Sequence, residues 1–237
     1  MSHLTGEARS NYVRRMFSRI AGRYDMLNRL MTMGQDLRWR REAVKRLRLA
    51  GTGRVLDIGA GTGDLAFEVL RQFPGAHAVA VDITPEMIAV GRLRKEGGSV
   101  TWVVADALHL PFADSSFVGV ISGFLLRNLP DVDGSLSEQH RVLRRAGRLV
   151  SLDTSPPPPG LFRPLIRFPL PAVIPTLGRV LAGEAEAYRY LPDSTEHFAT
   201  AEALAARMAT VGLAPVGYVR RMFGTIAIHW GSKAETG

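Results

Sequence analysis

Residues 55–63 read Val-Leu-Asp-Ile-Gly-Ala-Gly-Thr-Gly, a short apolar strand that runs into a glycine-rich loop. Leu65, Val69 and Phe73 follow at helical spacing and predict a helix over residues 64–73. A strand, a glycine loop and a helix in this order provide the setting that a nucleotide-binding loop requires, because glycine lets the backbone turn tightly and approach a ligand closely. The loop therefore predicts both an α/β fold and a ligand site.

The same alternation continues on both sides of the loop. Strands are predicted over residues 54–58, 78–82, 100–104, 117–123 and 147–152, with helices between them, and a final hairpin over 214–222 and 224–230. Strands that alternate with helices favour a parallel sheet built from right-handed crossovers. Continuous apolar runs indicate that both faces of the sheet are covered. We expect an α/β fold with a doubly wound, mostly parallel seven-stranded sheet.

Two segments lie outside this pattern. Val13, Phe17, Ile20 and Tyr24 recur at spacings of four, three and four, so the N-terminal part is predicted to be helical. We divide the chain into an N-terminal helical lid, residues 1–50, and a main domain, residues 51–237. The main domain includes an apolar, proline-rich insertion at residues 155–197, after the fifth strand. Residues 156–183, which carry only positive charge, favour equally a membrane-facing flap and an ordinary core.

The amino-acid composition excludes several kinds of catalytic and binding site. The 237 residues include no cysteine, which excludes disulfides, thiolate nucleophiles and cysteine-ligated zinc, and the histidines have no metal-ligand spacing. The net charge is +8, and 27 of the 30 basic residues are arginine. These are spread along the chain without a tract of interleaved aromatic and basic residues, which argues against nucleic acid as a partner. With no apolar run of about 20 residues and no signal-peptide pattern, we expect a cytoplasmic protein.

Two ligand classes compete for the loop. A dinucleotide loop has the spacing Gly-x-Gly-x-x-Gly, whereas here Gly59, Gly61 and Gly63 alternate with single residues. Asp57 precedes the loop and would repel a pyrophosphate but attract an ammonium or sulfonium cation. Asp82 ends the second strand, where its carboxylate can accept both ribose hydroxyls. These features favour S-adenosylmethionine over a nicotinamide dinucleotide.

The end of the third strand adds a contact to adenine. Asp106 can accept a hydrogen bond from the adenine amine, and the Ala107 N–H can donate to the ring. Ligands of open α/β sheets bind outside the carboxyl ends of the strands, where all three elements meet. The predicted donor-binding residues are Asp57, Gly59, Gly61, Thr62, Gly63, Asp82, Ile83, Asp106, Ala107 and Gly123.

The loop, Asp82 and Asp106 together resemble the class I S-adenosylmethionine-dependent methyltransferases. A narrower resemblance is to the C-methyltransferases of menaquinone and ubiquinone biosynthesis. It rests on four stretches in the right order, which are residues 17–28 with 36–41, residues 126–131, residues 188–194 and residues 224–231. The resemblance implies donor contacts at Thr62, Asp82 and the Asp106–Ala107 pair. The chain departs from the family at Leu125, where glycine is usual, and at Gly123, where serine is frequent.

The resemblance implies methylation of a ring carbon of a prenylated quinol, with demethylmenaquinol as the expected acceptor and a ubiquinol precursor as the open alternative. A quinol carbon becomes nucleophilic once an adjacent hydroxyl loses its proton, so a cation that stabilises the oxyanion would promote the reaction. Arg127 is the candidate for this role, and Asn128, Tyr24 and Asp25 are candidate contacts to the ring. The alternatives are structural, with Arg127 paired to Asp131 and Tyr24 in the core.

Other functions stay open at this point. The chain could methylate another small molecule or RNA, or could have kept the fold without catalysis. The expected partners are the prenylated quinol and, at the inner face of a membrane, the lipid surface. A homodimer is allowed, while a metal ion and nucleic acid are not expected.

Overall fold

A computed structural model of the chain describes residues 6–157, 194–195 and 198–235. Their strands form one seven-stranded sheet in the order β3-β2-β1-β4-β5-β7-β6. Strands β1 to β5 run parallel, and β7 runs antiparallel between β5 and β6. The predicted mostly parallel, seven-stranded sheet is confirmed. The strands are β1 (Gly53–Ile58), β2 (Ala76–Asp82), β3 (Thr101–Val104), β4 (Phe117–Gly123), β5 (Leu143–Thr154), β6 (Gly217–Arg221) and β7 (Ile226–Ser232).

Helices connect the strands and form the N-terminal segment. The segment is helical, as predicted, but it breaks into three helices at a 3-10 turn, Ala21–Arg23, and at Gly34, whose φ of 74° favours glycine. Asp131 and Thr200 cap two of the later helices with side-chain oxygens that accept backbone N–H groups. The helices are α1 (Gly6–Ile20), α2 (Tyr24–Met31), α3 (Gln35–Lys45), α4 (Asp64–Gln72), α5 (Pro85–Arg92), α6 (Val132–Val142) and α7 (Ala201–Thr210).

Apolar side chains cover both faces of the sheet. On one face Leu56 packs in a cluster with Leu136 of α6 and Leu204 of α7. On the other face Val55 packs in a cluster that includes Ala43 of α3 and Val69 of α4. Because neighbouring residues of β1 point to opposite faces, the continuous apolar run of this strand is what a doubly wound sheet requires.

This topology places the ends of several strands together. The strand order reverses between β1 and β4, and the parallel strands β1, β2, β3 and β4 end at Ile58, Asp82, Val104 and Gly123. Ligands of open α/β sheets bind in the crevice at such a reversal, outside the carboxyl ends of the strands. The glycine loop after β1 begins there.

Two of the predicted features lie mostly outside the described residues. Most of the predicted insertion, including residues 158–193, lies there, and so does nearly all of the motif at residues 188–194. The division into residues 1–50 and 51–237 stays a prediction. Within the described ranges, no helix has both the length and the apolar character needed to cross a membrane.

Candidate functional site

An open cavity lies at the carboxyl ends of the strands, with about 760 Å³ of empty space when the open solvent at its mouth is included. Seven of the ten predicted donor-binding residues line it, and they come from the ends of β1 to β4 and the loops that follow them. Tyr24 and Asn128 line it as well. The seven are Gly59, Gly61, Asp82, Ile83, Asp106, Ala107 and Gly123.

The loop after β1 depends on its glycines. Gly59, Gly61 and Gly63 all have positive φ angles, of 64°, 55° and 91°. A Cβ atom at Gly59 would lie 2.6 Å from a methyl of Leu125, and one at Gly63 would lie 2.5 Å from the ring of Trp102. The loop is therefore held by conformation and by close packing, and its backbone faces the cavity.

Asp82 ties the end of β2 to this loop. Its Oδ2 accepts a hydrogen bond from the Gly61 N–H at 2.8 Å, and its Oδ1 accepts one from the Thr84 N–H at 2.8 Å. Asp82 also lines the cavity, so its carboxylate lies within reach of a ligand there. Burial raises the pKa of the Asp82 carboxyl above its ordinary value, while the bonds from Thr84 and Gly61 act in the opposite direction.

Asp106 and Ala107 directly follow β3. In the sheet, β3 lies on one side of β1 and its glycine loop, and β4 lies on the other side. The Asp106 Oδ1 accepts a hydrogen bond from the Leu108 N–H at 2.9 Å. This local turn uses one carboxylate oxygen and fixes the side chain beside the cavity, so the second oxygen is available to a polar ligand. The arrangement is compatible with the predicted contact to an adenine amine.

Asp57 does not line the cavity, in contrast to its predicted place beside the ligand. It is 1% exposed, its Oδ2 accepts a hydrogen bond from the Ala66 N–H of α4 at 3.0 Å, and its Oδ1 has no partner among the described residues. Burial raises the pKa of this carboxyl to about 8, although Arg40 and the Ala66 N–H lower it. Asp57 joins β1 to α4, and any effect on a ligand acts through the loop.

The raised pKa of Asp57 makes stability depend on pH. The folded protein binds a proton at Asp57 between about pH 4 and pH 8, where the unfolded chain does not, so the free energy of unfolding falls as the pH rises through this window. We expect a loss of about 2 kcal/mol between pH 6 and pH 8 from this group. In urea unfolding of the Asp57→Asn variant, the free energy of unfolding should not show this fall with pH. If the variant and the wild type depend on pH in the same way, the raised pKa of Asp57 is contradicted.

Thr62 does not line the cavity either, and its donor contact stays a prediction. It is 2% exposed, and its hydroxyl donates to the Asp25 Oδ1 at 2.6 Å. The two residues were predicted separately, as a donor contact and a ring contact, but the structure brings them together outside the cavity lining. Their bond fastens the first turn of α2 to the glycine loop. Gly63, the third predicted residue that does not line the cavity, is the N-cap residue that precedes α4.

Ion pairs add to the attachment of α2 to the glycine loop. Arg94, after α5, contacts the Asp25 Oδ2 at 3.1 Å and the Asp64 Oδ1 at 2.8 Å, and Arg29 of α2 contacts the Asp64 Oδ2 at 2.7 Å. Asp36 pairs with Arg29 and Arg40. The carboxyl of Asp64 keeps a lowered pKa, because these arginines outweigh its burial. We call Asp25, Arg29, Asp64 and Arg94 the clasp. It attaches α2 to the glycine loop, and no sequence pattern indicated Arg29, Asp64 or Arg94.

Arg127 is placed differently from its predicted role. It is 6% exposed and does not line the cavity, and its Nη1 contacts the Asp153 Oδ1 of β5 at 2.5 Å. Its backbone N–H donates to the other oxygen of Asp153 at 3.3 Å. Asp131, the alternative partner, caps α6 instead. The guanidinium is buried and paired with Asp153, which favours a positioning role for its turn, and the oxyanion contact stays a prediction.

Asn128 and Tyr24 remain candidates for contact with an acceptor. The Asn128 Nδ2 donates to the Phe124 carbonyl at 2.9 Å, and its buried Oδ1 has no partner in the described part of the chain. Tyr24 packs edge-on against Phe17 of α1, with ring centroids 5.7 Å apart, and also lines the cavity. Ser10 and Val13 of α1 complete this wall, which the sequence analysis had assigned only to a helical lid.

The described ranges contain no cluster of three histidine or acidic side chains that could hold a metal ion. His229 is buried on β7, with its Nε2 2.9 Å from the Ala201 carbonyl, and burial lowers its pKa. Its place is structural, at the contact between β7 and α7.

Comparison with known proteins gives a consistent result. The model of the ubiE/COQ5 methyltransferase family matches residues 5–233. The chain is 45% identical over 221 residues to the ubiquinone/menaquinone biosynthesis C-methyltransferase UbiE of Desulfotalea psychrophila, with 93% of this chain and 90% of that protein covered. It is 46% identical over 220 residues to the demethylmenaquinone methyltransferase of Thermus thermophilus, covering 92% and 100%.

Solved structures share the fold at lower identity. A SAM-dependent methyltransferase from Thermotoga maritima superimposes with a TM-score of 0.65 at 21% identity, covering 92% of this chain and 98% of the other. A phosphoethanolamine N-methyltransferase from Haemonchus contortus, in complex with S-adenosyl-L-methionine, gives a TM-score of 0.62 at 17% identity, covering 82% and 52%.

Proposed function

Because the chain belongs to the ubiE/COQ5 methyltransferase family, we propose that it methylates a ring carbon of a prenylated quinol, with demethylmenaquinol as the acceptor. It is an S-adenosylmethionine-dependent methyltransferase of quinone biosynthesis. The observation that carries the proposal is the cavity, which combines the polar ends of β2 and β3 with an apolar wall from α1.

The polar side of the cavity fits S-adenosylmethionine. Asp82 lines the cavity at the end of β2, where its carboxylate can accept hydrogen bonds from the two ribose hydroxyls. Asp106 and Ala107 lie where they can contact adenine, and Gly59 leaves room for close approach of the ligand. When bound, S-adenosylmethionine supplies an electrophilic methyl group.

The apolar side of the cavity fits the quinol ring. Val13 and Phe17 of α1 supply apolar surface, and Leu129 adds to it from the segment after β4. The buried Asn128 Oδ1 can accept a hydrogen bond from a ring hydroxyl, which would satisfy an otherwise unpaired polar atom. Tyr24 can contact the ring from α2. These residues orient the ring and exclude water from the carbon that accepts the methyl group.

The buried ion pair of Arg127 and Asp153 stabilises the turn that carries Asn128. It fixes the turn Leu126–Asn128, and Asn128 therefore faces the cavity in one orientation. Arg9 of α1 donates to the Arg127 carbonyl at 2.7 Å, which links the same turn to the helix that forms the opposite wall. We assign Arg127 a positioning role in the proposed reaction.

A transfer assay tests the proposal. The purified full chain is incubated with methyl-labelled S-adenosylmethionine and a short-chain demethylmenaquinol under reducing conditions, and in a parallel reaction with total RNA. We expect label in a quinone that has gained one methyl group and none in RNA. Label in RNA, or no labelled quinone product, would contradict the proposal. A prenylated benzoquinol that lacks the ring methyl group, offered in competition, distinguishes the naphthoquinol from the benzoquinol acceptor.

The acceptor also implies a location. A prenyl tail partitions into lipid, so we propose that the protein works at the inner face of a membrane as a peripheral enzyme. Residues 156–183, which were predicted to form a flap or a core, lie almost entirely outside the described residues. A homodimer stays a prediction.

A further inference from the structure

Apolar side chains are exposed along α2, the following turn and the start of α3. Of the seven large apolar side chains that are exposed in the described part of the chain, four lie within these twelve residues. They follow one another at spacings of four, three and four, so the two on α2 share one face of that helix. We call them the apolar stripe, which consists of Met26 (52% exposed), Leu30 (45%), Met33 (79%) and Leu37 (44%).

The positive charge of the chain is concentrated in the same region. Residues 1–50 contain twelve basic and four acidic residues, whereas residues 51–237 contain eighteen of each. The N-terminal helices therefore carry the whole excess of +8. Beside the stripe the acidic side chains are bonded to arginines, as Asp36 is to Arg29 and Arg40, while Arg38 and Arg41 are exposed on α3. The surface around the stripe is cationic.

The stripe lies at the cavity edge of the sheet. Helix α2 begins at Tyr24, which lines the cavity, and Asp25 attaches the helix to the glycine loop. The turn between β6 and β7 lies at this edge as well, because Ile226 pairs with Thr154 at the end of β5, and Phe223 in that turn is 80% exposed. Exposed apolar groups therefore lie at the same edge of the sheet as the cavity.

From these observations we propose that the apolar stripe and its arginines dock the protein on an anionic lipid bilayer. An apolar strip inside a cationic surface matches an interface where side chains insert between anionic headgroups. A nucleic acid would use the charge but not the apolar groups. A two-fold contact between copies would bring the like charges of both stripes together. The reason for docking, delivery of a prenylated quinol to the cavity, rests on the proposed function, whereas the docking surface does not.

Vesicle binding tests the surface directly. The full chain is sedimented with vesicles of phosphatidylcholine alone, and with vesicles that contain about one third phosphatidylglycerol. We expect binding to the anionic vesicles that weakens at high salt. The double variant Leu30→Asp with Met33→Asp should bind at least about tenfold more weakly, because it replaces inserted apolar groups with anions. The matched control is Leu93→Asp, at an 89% exposed position outside the stripe, and it should bind like the wild type.

Three results would overturn the proposal. They are absence of wild-type binding to anionic vesicles, equal binding by the double variant, and a wild-type dimer that the double variant dissociates while neither protein binds vesicles. Thermal unfolding shows whether the double variant is folded. Methylation of a water-soluble short-chain quinol separates the two proposals. If the wild type binds vesicles through the stripe but none of the three proteins methylates the quinol, the proposed function alone is contradicted. If all three proteins methylate the quinol equally, vesicle binding decides whether the docking proposal holds.

Discussion

Replacement of Asp82 by alanine is expected to weaken S-adenosylmethionine binding by about 2–4 kcal/mol, which corresponds to roughly 30- to 1,000-fold. The variant loses charge-assisted bonds to the ribose hydroxyls. It also frees the Gly61 and Thr84 N–H groups that the carboxylate now holds at 2.8 Å, so the glycine loop is less well organised before the ligand binds. Calorimetric titration of the purified variant measures the loss.

The matched control is Asp114→Ala, which removes the same charge at a 76% exposed side chain paired with Arg141. We expect wild-type affinity for this control. Circular dichroism establishes that both variants are folded. If Asp82→Ala binds the donor as the wild type does, the ribose contact is wrongly assigned to Asp82.

Replacement of Asp153 by alanine is expected to lower the free energy of unfolding by about 3–5 kcal/mol. The change leaves the buried Arg127 guanidinium without its counter-charge, and removes the acceptor of the Arg127 and Thr154 backbone N–H groups. An uncompensated buried charge is among the most destabilising changes that one substitution can make. Urea unfolding at constant pH measures the effect.

A second aspartate in the same region provides the comparison. Asp131 is exposed and accepts the Gly134 N–H at the start of α6, so Asp131→Ala removes a helix cap and should cost about 1 kcal/mol. The two substitutions make the same chemical change at a buried pair and at a surface cap. Equal losses would show that the pair of Arg127 and Asp153 contributes no more than a cap does.

The sheet could be predicted closely because its signals are local. The ends of β1, β2 and β4 at Ile58, Asp82 and Gly123 agree with the predicted ends, since each strand is a continuous apolar run that stops at a polar or glycine residue. The start of β5 was harder to predict from the sequence. It begins at Leu143, four residues before its predicted start, and pairs there with Phe117 across a shift in register that no short run of residues specifies.

Sequence patterns located the backbone of the site better than its side-chain partners. Gly59, Asp82 and Asp106 line the cavity because the ends of parallel strands must meet at one edge. Arg127 looked available to an acceptor because its partner, Asp153, lies 26 residues away on another strand. Local spacing predicts which elements form, and it does not say which charges meet after those elements pack.

The place of β7 between β5 and β6 has a consequence for synthesis of the chain. Strand β5 ends at Thr154 and the strand that covers its edge begins at Ile226, so 71 residues must be translated in between. At about 5–20 residues per second this takes roughly 4–14 s. During that interval the twelve-residue strand β5 can present unpaired N–H and C=O groups to other nascent chains. Slow translation between β5 and β7 should therefore favour aggregation more than slow translation before β5.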